Sequence, residues 1–259
     1  MASPAARARP APVPRQLRWQ AYERFQQQLL LANIRPGQFV SQRELAALTG
    51  LPLGAIREVI PRLEAEGLLR TVPQRGLQIA NVDVKLVRNA FQLRITLEKE
   101  AVAQFALAAT DAQLDALEAA HRDIIRRAAR SVTPALLDAA QAIDWGLHDT
   151  IIDALGNEII SAIYRVNSLR IRLIKLERVT LNAEVLPPAM QEHLTLIAAL
   201  RTRDPRLAVA AIEAHLTHAR NRALGFQDPA AAGPPQGGAP SGGGRRRRLR
   251  GDLPKSGTA

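Results

Sequence analysis

The residues of this chain with the most chemical reach are a carboxylate, three imidazoles and a guanidinium, each set into an otherwise apolar pattern. Asp144 and His148 stand four apart in AIDWGLHDTII, on the stripe Leu137, Ala140, Asp144, His148, Ile151, Leu155. Positions i and i+4 of a helix point the same way, so both side chains reach one point. His193 shares a stripe with Leu196, Ile197 and Leu200, and His215 shares a face with Ala208, Ala211 and Ile212. An ionised carboxylate on a core face needs a compensating charge. One carboxylate with three imidazoles is a donor set that suits a divalent Zn, Ni, Mn or Fe ion. On spacing alone two alternatives stay open: a single inward histidine is more often a hydrogen-bonded core residue, and Asp144 with His148 fits a helix-surface pair. Arg94, on the stripe Val87, Ala90, Phe91, Leu97, Ala101, also faces inward. It either pairs with Glu98 at i+4 or presents a fork to a ligand carboxylate. Asn167 and Arg170, on a stripe with Ile160, Ile163 and Ile174, are further effector-pocket candidates.

The elements that must position these groups are nearly all helical. Beyond residue 83 the apolar periodicity predicts six amphipathic helices, at about 84–109, 111–131, 133–154, 157–181, 187–203 and 205–225. Asp111, Thr133 and Asn157 sit near starts, as capping residues do, and Pro187 and Pro205 fall where proline is tolerated. Arg94 lies on the first of these helices, and the three histidines lie on the third, fifth and sixth. Upstream, LRWQAYERFQQQLLLANI predicts a helix stopping before Pro36-Gly37, and QRELAALTG a short helix ended by Gly50. LPLGAIREVIPRLEAEGLL predicts a second helix from near Pro52 to Gly67, in which Pro61 removes one helix hydrogen bond. LLRTVPQRGLQIA reads as two short strands around the turn PQRG. Helix, helix, turn, helix, hairpin is the order of a winged helix-turn-helix. The expected fold is mainly α, an N-terminal winged helix-turn-helix (16–82) plus a C-terminal all-helical bundle (83–226). Residues 1–15, rich in Ala, Pro and Arg, are expected to be a disordered arm. Residues 227–259, rich in Pro and Gly, are expected to be a disordered basic tail. Its RRRRLR is either a solvated charge cluster or a non-specific phosphate-binding segment.

Composition narrows the partners. The 259 residues contain no cysteine, which excludes disulfides and thiolate metal sites and fits a reducing compartment. No run approaches the roughly 20 apolar residues of a membrane span, so no membrane partner is expected. The N-terminus lacks the apolar core of a secretory signal. The net charge is +11, and within the folded part the surplus concentrates in residues 17–80, which carry eight arginines against five glutamates. A basic module beside a near-neutral body points to a polyanion at one end.

A helix-turn-helix lays its second helix in the major groove and uses the first to hold it there. Leu45, Ala46, Ile56, Val59 and Leu63 are spaced to pack inward, which leaves Arg57 at the groove end, Arg43 near the same phosphates, and Arg75 with Gly76 at the wing tip. The stretch PGQFVSQRELAALTGLPLGAIREVIPRLEAEGLL, followed by PQRGLQIA, resembles the winged-helix module of GntR-type bacterial transcription regulators. The matching pieces are Pro36-Gly37, RELA, the Gly50 turn, IRE, RLEAEGLL and the RG wing. The resemblance implies sequence-specific binding of double-stranded DNA at a palindromic operator by a homodimer, with Arg43, Arg57 and Gly76 as contacts. There is one departure. The family commonly reads VSRTPVRE at the head of the recognition helix, where this chain reads LPLGAIRE. Pro52 replaces the usual Ser or Thr cap, and Leu53 replaces an arginine used at the DNA surface. A leucine makes no bidentate contact with guanine, although it can meet a thymine methyl.

The body carries a second resemblance. RITLE at Arg94–Glu98, DWGLH at Asp144–His148, EHLTLIAALRTRD at Glu192–Asp204 and AIEAHL at Ala211–Leu216 are similar to the FCD effector domain of the FadR-type subgroup. In metal-containing members the matching Asp and three His hold a divalent ion inside the bundle. The resemblance therefore implies Asp144, His148, His193 and His215 as ligands, and a small organic-acid effector at the remaining coordination positions. His121 and His218 are expected to be ordinary surface or hydrogen-bonding residues.

Three functions follow. The leading one is a ligand-responsive, metal-containing transcription regulator, bacterial, cytoplasmic and nucleoid-associated. The second is a metal-dependent hydrolase or lyase using the same Asp/His site, since a bound ion activates water. The third is a purely structural metal.

Overall fold

A computed structural model describes residues 14–31, 33–178 and 182–226. The expected arm, apart from its last two residues, and the expected basic tail lie outside the described residues.

The N-terminal part comprises α1 (Arg15–Leu30), β1 (Phe39–Val40), α2 (Gln42–Thr49), α3 (Leu53–Ala65), β2 (Leu69–Val72) and β3 (Gly76–Ile79). α2 opens on a reciprocal capping box, in which Glu44 N–H donates to Ser41 Oγ at 3.1 Å and Ser41 N–H donates to the Glu44 carboxylate at 2.6 Å. It closes on Gly50 in the left-handed region, φ 67°. α3 has no side-chain cap, because Pro52 occupies that position, and it runs on through Pro61. Leu45, Ile56, Val59 and Leu63 are buried as the spacing requires. The hairpin β2–β3 is joined by the two-residue β1 into an antiparallel sheet of order β1-β3-β2. Gly76 at the wing adopts φ 91°, and a Cβ there would stand 3.2 Å from the Val40 carbonyl oxygen of β1. Only glycine meets both conditions without strain.

The body comprises α4 (Val84–Ala108), α5 (Asp111–Ala128), α6 (Pro134–Asp153), α7 (Glu158–Arg178), α8 (Leu186–Arg201) and α9 (Pro205–Ala223). Side-chain caps at Asp83, Thr110, Thr133 and Asp204 set four of the starts. Thr110, one residue before Asp111, is the cap of α5, and Asn157 Oδ1 accepts from Ile159 N–H and Ile160 N–H at 3.1 Å each. α4 is the central helix and packs against α6, α7, α8 and α9. One apolar cluster joins the two parts: Phe25, Leu63 and Leu77 of the winged helix lie in it with Phe91, Leu169 and Ile174 of the body. A second fills the bundle around Phe105, Leu147, Ile151, Leu196 and Ile212.

α7 fastens the two parts. Arg170 Nη2 donates to the Glu66 carbonyl oxygen at the C-terminus of α3, and Arg178 Nη2 donates to the Val82 carbonyl oxygen at 3.1 Å. Close to the same junction Tyr22 OH donates to the Glu66 carboxylate at 2.6 Å, and the Arg62 guanidinium lies 3.6 Å from the Tyr22 ring centre. Among the described residues no helix is long and apolar enough to cross a membrane.

Candidate functional site

Three helices bring the imidazoles together. His148 (α6), His193 (α8) and His215 (α9) are 0, 0 and 4% exposed, and one ligand atom from each lies within 4.8 Å of the other two. Each ring's Nδ1 is engaged on the outside of the cluster. His148 Nδ1 is 2.7 Å from Glu98 Oε2 on α4, and His215 Nδ1 is 2.7 Å from Glu192 Oε2 on α8. His193 Nδ1 is 3.1 Å from Nε2 of His121, whose own Nδ1 is 2.7 Å from the Leu117 carbonyl oxygen. A carbonyl only accepts, so His121 carries its proton on Nδ1 and its Nε2 accepts from His193 Nδ1–H. Carboxylates likewise place the protons of His148 and His215 on Nδ1. In the neutral rings all three Nε2 lone pairs then face one another.

That arrangement lacks a proton donor. His193 Nε2 and His215 Nε2 are 3.2 Å apart, and His148 Nε2 is buried with no hydrogen-bond partner among the described residues. Two lone pairs at that distance repel unless a cation lies between them. Nitrogens bound to one ion at about 2.0–2.1 Å, with angles from octahedral to tetrahedral, stand roughly 2.9–3.4 Å apart. Burial disfavours the charged ring at His148, His193 and His121. It pushes His148 down to about 4, with Arg94 adding to the effect, and holds His193 well below the usual histidine value and His121 below it.

Asp144 completes the approach from α6. It is 3% exposed, with Oδ1 3.7 Å from His193 Nε2 and Oδ2 2.6 Å from Lys175 Nζ on α7. Burial works against its charge, but Lys175 and the imidazoles hold the carboxyl well below the usual carboxylate range. With His193 neutral, the contact to Asp144 is dipolar and not an ion pair. Asp144 and His148 do not pair with each other; each turns to a partner on another helix. The carboxylate leans toward Lys175 and lies outside the tight imidazole trio.

Arg94 makes the i+4 pair that its spacing allows. Its Nε donates to Glu98 Oε1 at 2.6 Å, while its Nη2 is buried without a partner among the described residues. Burial opposes charge on Glu98, yet Arg94 and His148 hold its carboxyl well below the usual range, and Tyr164 OH also donates to it at 2.9 Å. Arg94 lines a cavity of about 30 Å³ with Phe91, Asp144, Lys175, His215 and Arg222. That is room for about one water.

Two candidates lie elsewhere. Asn167 spends its amide on the Ala90 carbonyl oxygen at 2.9 Å and does not line this cavity. Arg170 borders a larger cleft of about 1270 Å³ between α1, α3, α6 and α7, which contains no histidine, and is bound to the Glu66 backbone. The reason is that α7 is covered on more than one side, so its Ile160–Ile174 stripe is not one buried face; Ile163 is 47% exposed. Three residues not singled out from the sequence belong to the cluster: Lys175, Glu192 and Arg222, whose Nη1 donates to Glu192 at 2.9 Å. Lys175 follows the buried Ser168 and Ile171 at spacings of seven and four, a signal that periodicity could have given. His121 is fully buried and hydrogen-bonded, so the surface part of its reading is corrected. His218 sits half-buried against Glu192.

On the winged helix, Arg43 and Arg57 are at the surface, and Arg57 Nε donates to Gln42 Oε1 at 3.1 Å. Arg75 is exposed at the wing with its guanidinium 4.4 Å from the Phe39 ring centre, beside Gly76.

A winged helix-turn-helix fastened to an all-helical body with a polar centre is the build of a DNA-binding transcription regulator. Residues 17–79 match the family described as bacterial regulatory proteins, gntR family, and residues 89–218 match the FCD domain. The chain belongs to the gntR family of bacterial regulators and carries its FCD domain. It is 26% identical over 199 residues to the HTH-type transcriptional repressor GlaR of Escherichia coli, covering 75% of this chain and 90% of that one. It is 24% identical over 200 residues to the repressor RspR of the same organism, covering 76% and 84%. Its fold is similar to that of E. coli McbR/YncC, with a TM-score of 0.65 at 17% identity, over 81% of this chain and 97% of the other. The hydrolase or lyase reading is thereby set aside: the families and relatives are transcription regulators.

Proposed function

We propose that this regulator is a metal-containing sensor in which Asp144, His148, His193 and His215 hold a divalent ion, Zn, Ni, Mn or Fe, and a small carboxylate effector completes the ion's shell. The observation that carries it is the convergence of three Nε2 lone pairs, each oriented by a separate outer partner, with His148 Nε2 buried and otherwise unsatisfied. Ligating histidines are oriented in this way. The ion would supply a Lewis-acid anchor for one carboxylate oxygen of the effector. Arg94 would present the unpartnered Nη2 to the same carboxylate. Asn167 and Arg170 are left out of this site, since neither lines its cavity.

Binding would be read out through α7. An organic acid is larger than a 30 Å³ cavity, so its entry displaces the cavity walls, among them Lys175 on α7. The same helix holds the end of α3 through Arg170. A homodimer would set two such winged helices on a palindromic operator, with Arg43, Arg57, Arg75 and Gly76 at the DNA. Coupling of this kind requires that the effector bind the two states of the dimer with different affinity.

The test is metal analysis and an operator gel shift on the full chain. The expected result is about one divalent ion per chain, a shift that responds to a small organic acid, and loss of both ion and response in Asp144→Ala/His193→Ala. Retention of metal and full response by the double variant refutes the site. Metal without any response to acids supports the structural-ion alternative.

A further inference from the structure

The charges around the imidazoles point to the class of effector. Among the described residues, three pairs of buried or half-buried ionic groups border them: Arg94 with Glu98, Lys175 with Asp144, and Arg222 with Glu192. Three cations and three carboxylates sum to zero, and an imidazole that binds an ion does so in its neutral form. The cluster is therefore balanced before any ion enters. A divalent cation at the imidazoles adds two positive charges in a water-poor interior, where uncompensated charge is costly. A monocarboxylate cancels one of them. A dicarboxylate cancels both.

Geometry agrees with the count. Among the described residues that line the cavity the cations are Arg94, Lys175 and Arg222, and Asp144 is the one carboxylate. Arg94 brings a buried Nη2 without a partner. Lys175 is separated from the imidazoles by a single carboxylate, with Asp144 Oδ2 at 2.6 Å from Nζ and Oδ1 at 3.7 Å from His193 Nε2. A short diacid spans that separation.

We propose that the pocket is built for a small dicarboxylate, with one carboxylate at the ion and Arg94 and the other at Lys175 and Arg222. The proposal rests on the metal-sensor reading above and makes Lys175 the residue that separates diacids from monoacids. Lys175 also stays within reach of Asp144 Oδ2, so it serves as the outer partner of that ligand, as Glu98, His121 and Glu192 do for the imidazoles.

The experiment uses the full chain loaded with Ni²⁺ or Zn²⁺, its metal content measured by mass spectrometry, and calorimetric titration with succinate against butyrate and glutarate against valerate. Each pair has the same carbon count and differs by one carboxylate. At least one diacid is expected to bind about 30-fold or more tightly than its monoacid, as loss of one partner of a desolvated charge pair implies. In Lys175→Met the ratio is expected to fall below about threefold, and Lys175→Arg is expected to keep it, each variant titrated at a metal concentration that loads it fully, with occupancy checked by mass spectrometry. Equal affinity for diacid and monoacid in the native chain overturns the proposal, whatever the variants do. So does an undiminished ratio in Lys175→Met, or a metal-loaded chain that binds neither acid, a result that leaves the ion assignment standing. A chain that takes up no metal refutes the sensor reading itself, and the dicarboxylate proposal with it.

Discussion

Replacing Arg94 by methionine removes the guanidinium and keeps most of the side chain's length. Glu98, with no exposed surface, then loses its strongest counter-charge, the 2.6 Å contact from Nε. Breaking one partner of a buried ion pair costs about 3–5 kcal/mol. Two features place the cost at the lower end. Glu98 keeps His148 Nδ1 at 2.7 Å and Tyr164 OH at 2.9 Å. The substitution also deletes the unsatisfied Nη2, and so recovers part of a desolvation penalty of about 1–3 kcal/mol. A net loss of about 3 kcal/mol lowers Tm by roughly 6–12 °C in a body of this size. The pH dependence has a definite sign. Glu98 is held below the usual carboxylate range in the native chain, so its contribution is present above the unfolded value and fades as pH falls. Without Arg94, burial dominates and Glu98 takes up its proton at higher pH, so the gap between variant and native chain narrows on acidification. Differential scanning fluorimetry of metal-free protein between about pH 7 and about pH 5 measures both effects. The double variant Arg94→Met/Glu98→Gln should regain about half of the loss, since it removes the stranded charge. A drop of less than about 2 °C in the single variant, or a double variant no better than the single, refutes the account of Arg94 as a structural counter-ion.

Glu192→Gln removes no proposed ligand but weakens the group that orients His215; chelator competition should show metal affinity about 10- to 100-fold lower, and an unchanged affinity would separate Glu192 from the centre. Gly76→Ala forces a side chain into φ 91° and to 3.2 Å from the Val40 carbonyl, so the fold should lose about 1–3 kcal/mol in denaturant titrations and operator binding should weaken. Arg43→Ala and Arg57→Ala should each weaken operator binding; for a phosphate contact the loss is uniform across sequences and the salt slope falls by about one, whereas a base contact relaxes specificity at one position.

The helices of the body were legible because each repeats an apolar stripe over several turns, and the bounds differ from expectation by a few residues at most ends. β1 was not legible, since two residues carry no period and the strand exists only because β3 pairs with it. Inward histidines could be read from their own helices, but what each faces depends on how helices cross. Glu192 illustrates the limit. It precedes His193 in the chain and so points away from it, yet it orients His215 and binds Arg222 on α9. Arg170 illustrates the converse. It shares a stripe with Asn167, but the winged helix covers that end of α7 and takes up the guanidinium.

Arg170 and Arg178 both grip main-chain oxygens of the DNA-reading part, at Glu66 and Val82. Every residue type offers that oxygen, so these two fastenings do not depend on which side chains stand at the receiving end. Substitutions that retune the recognition helix toward a new operator, including the unusual Pro52 and Leu53 at its head, leave the junction's bonds available. The body can thus stay as it is while the reading head drifts, and new regulatory targets can arise without rebuilding the link between them.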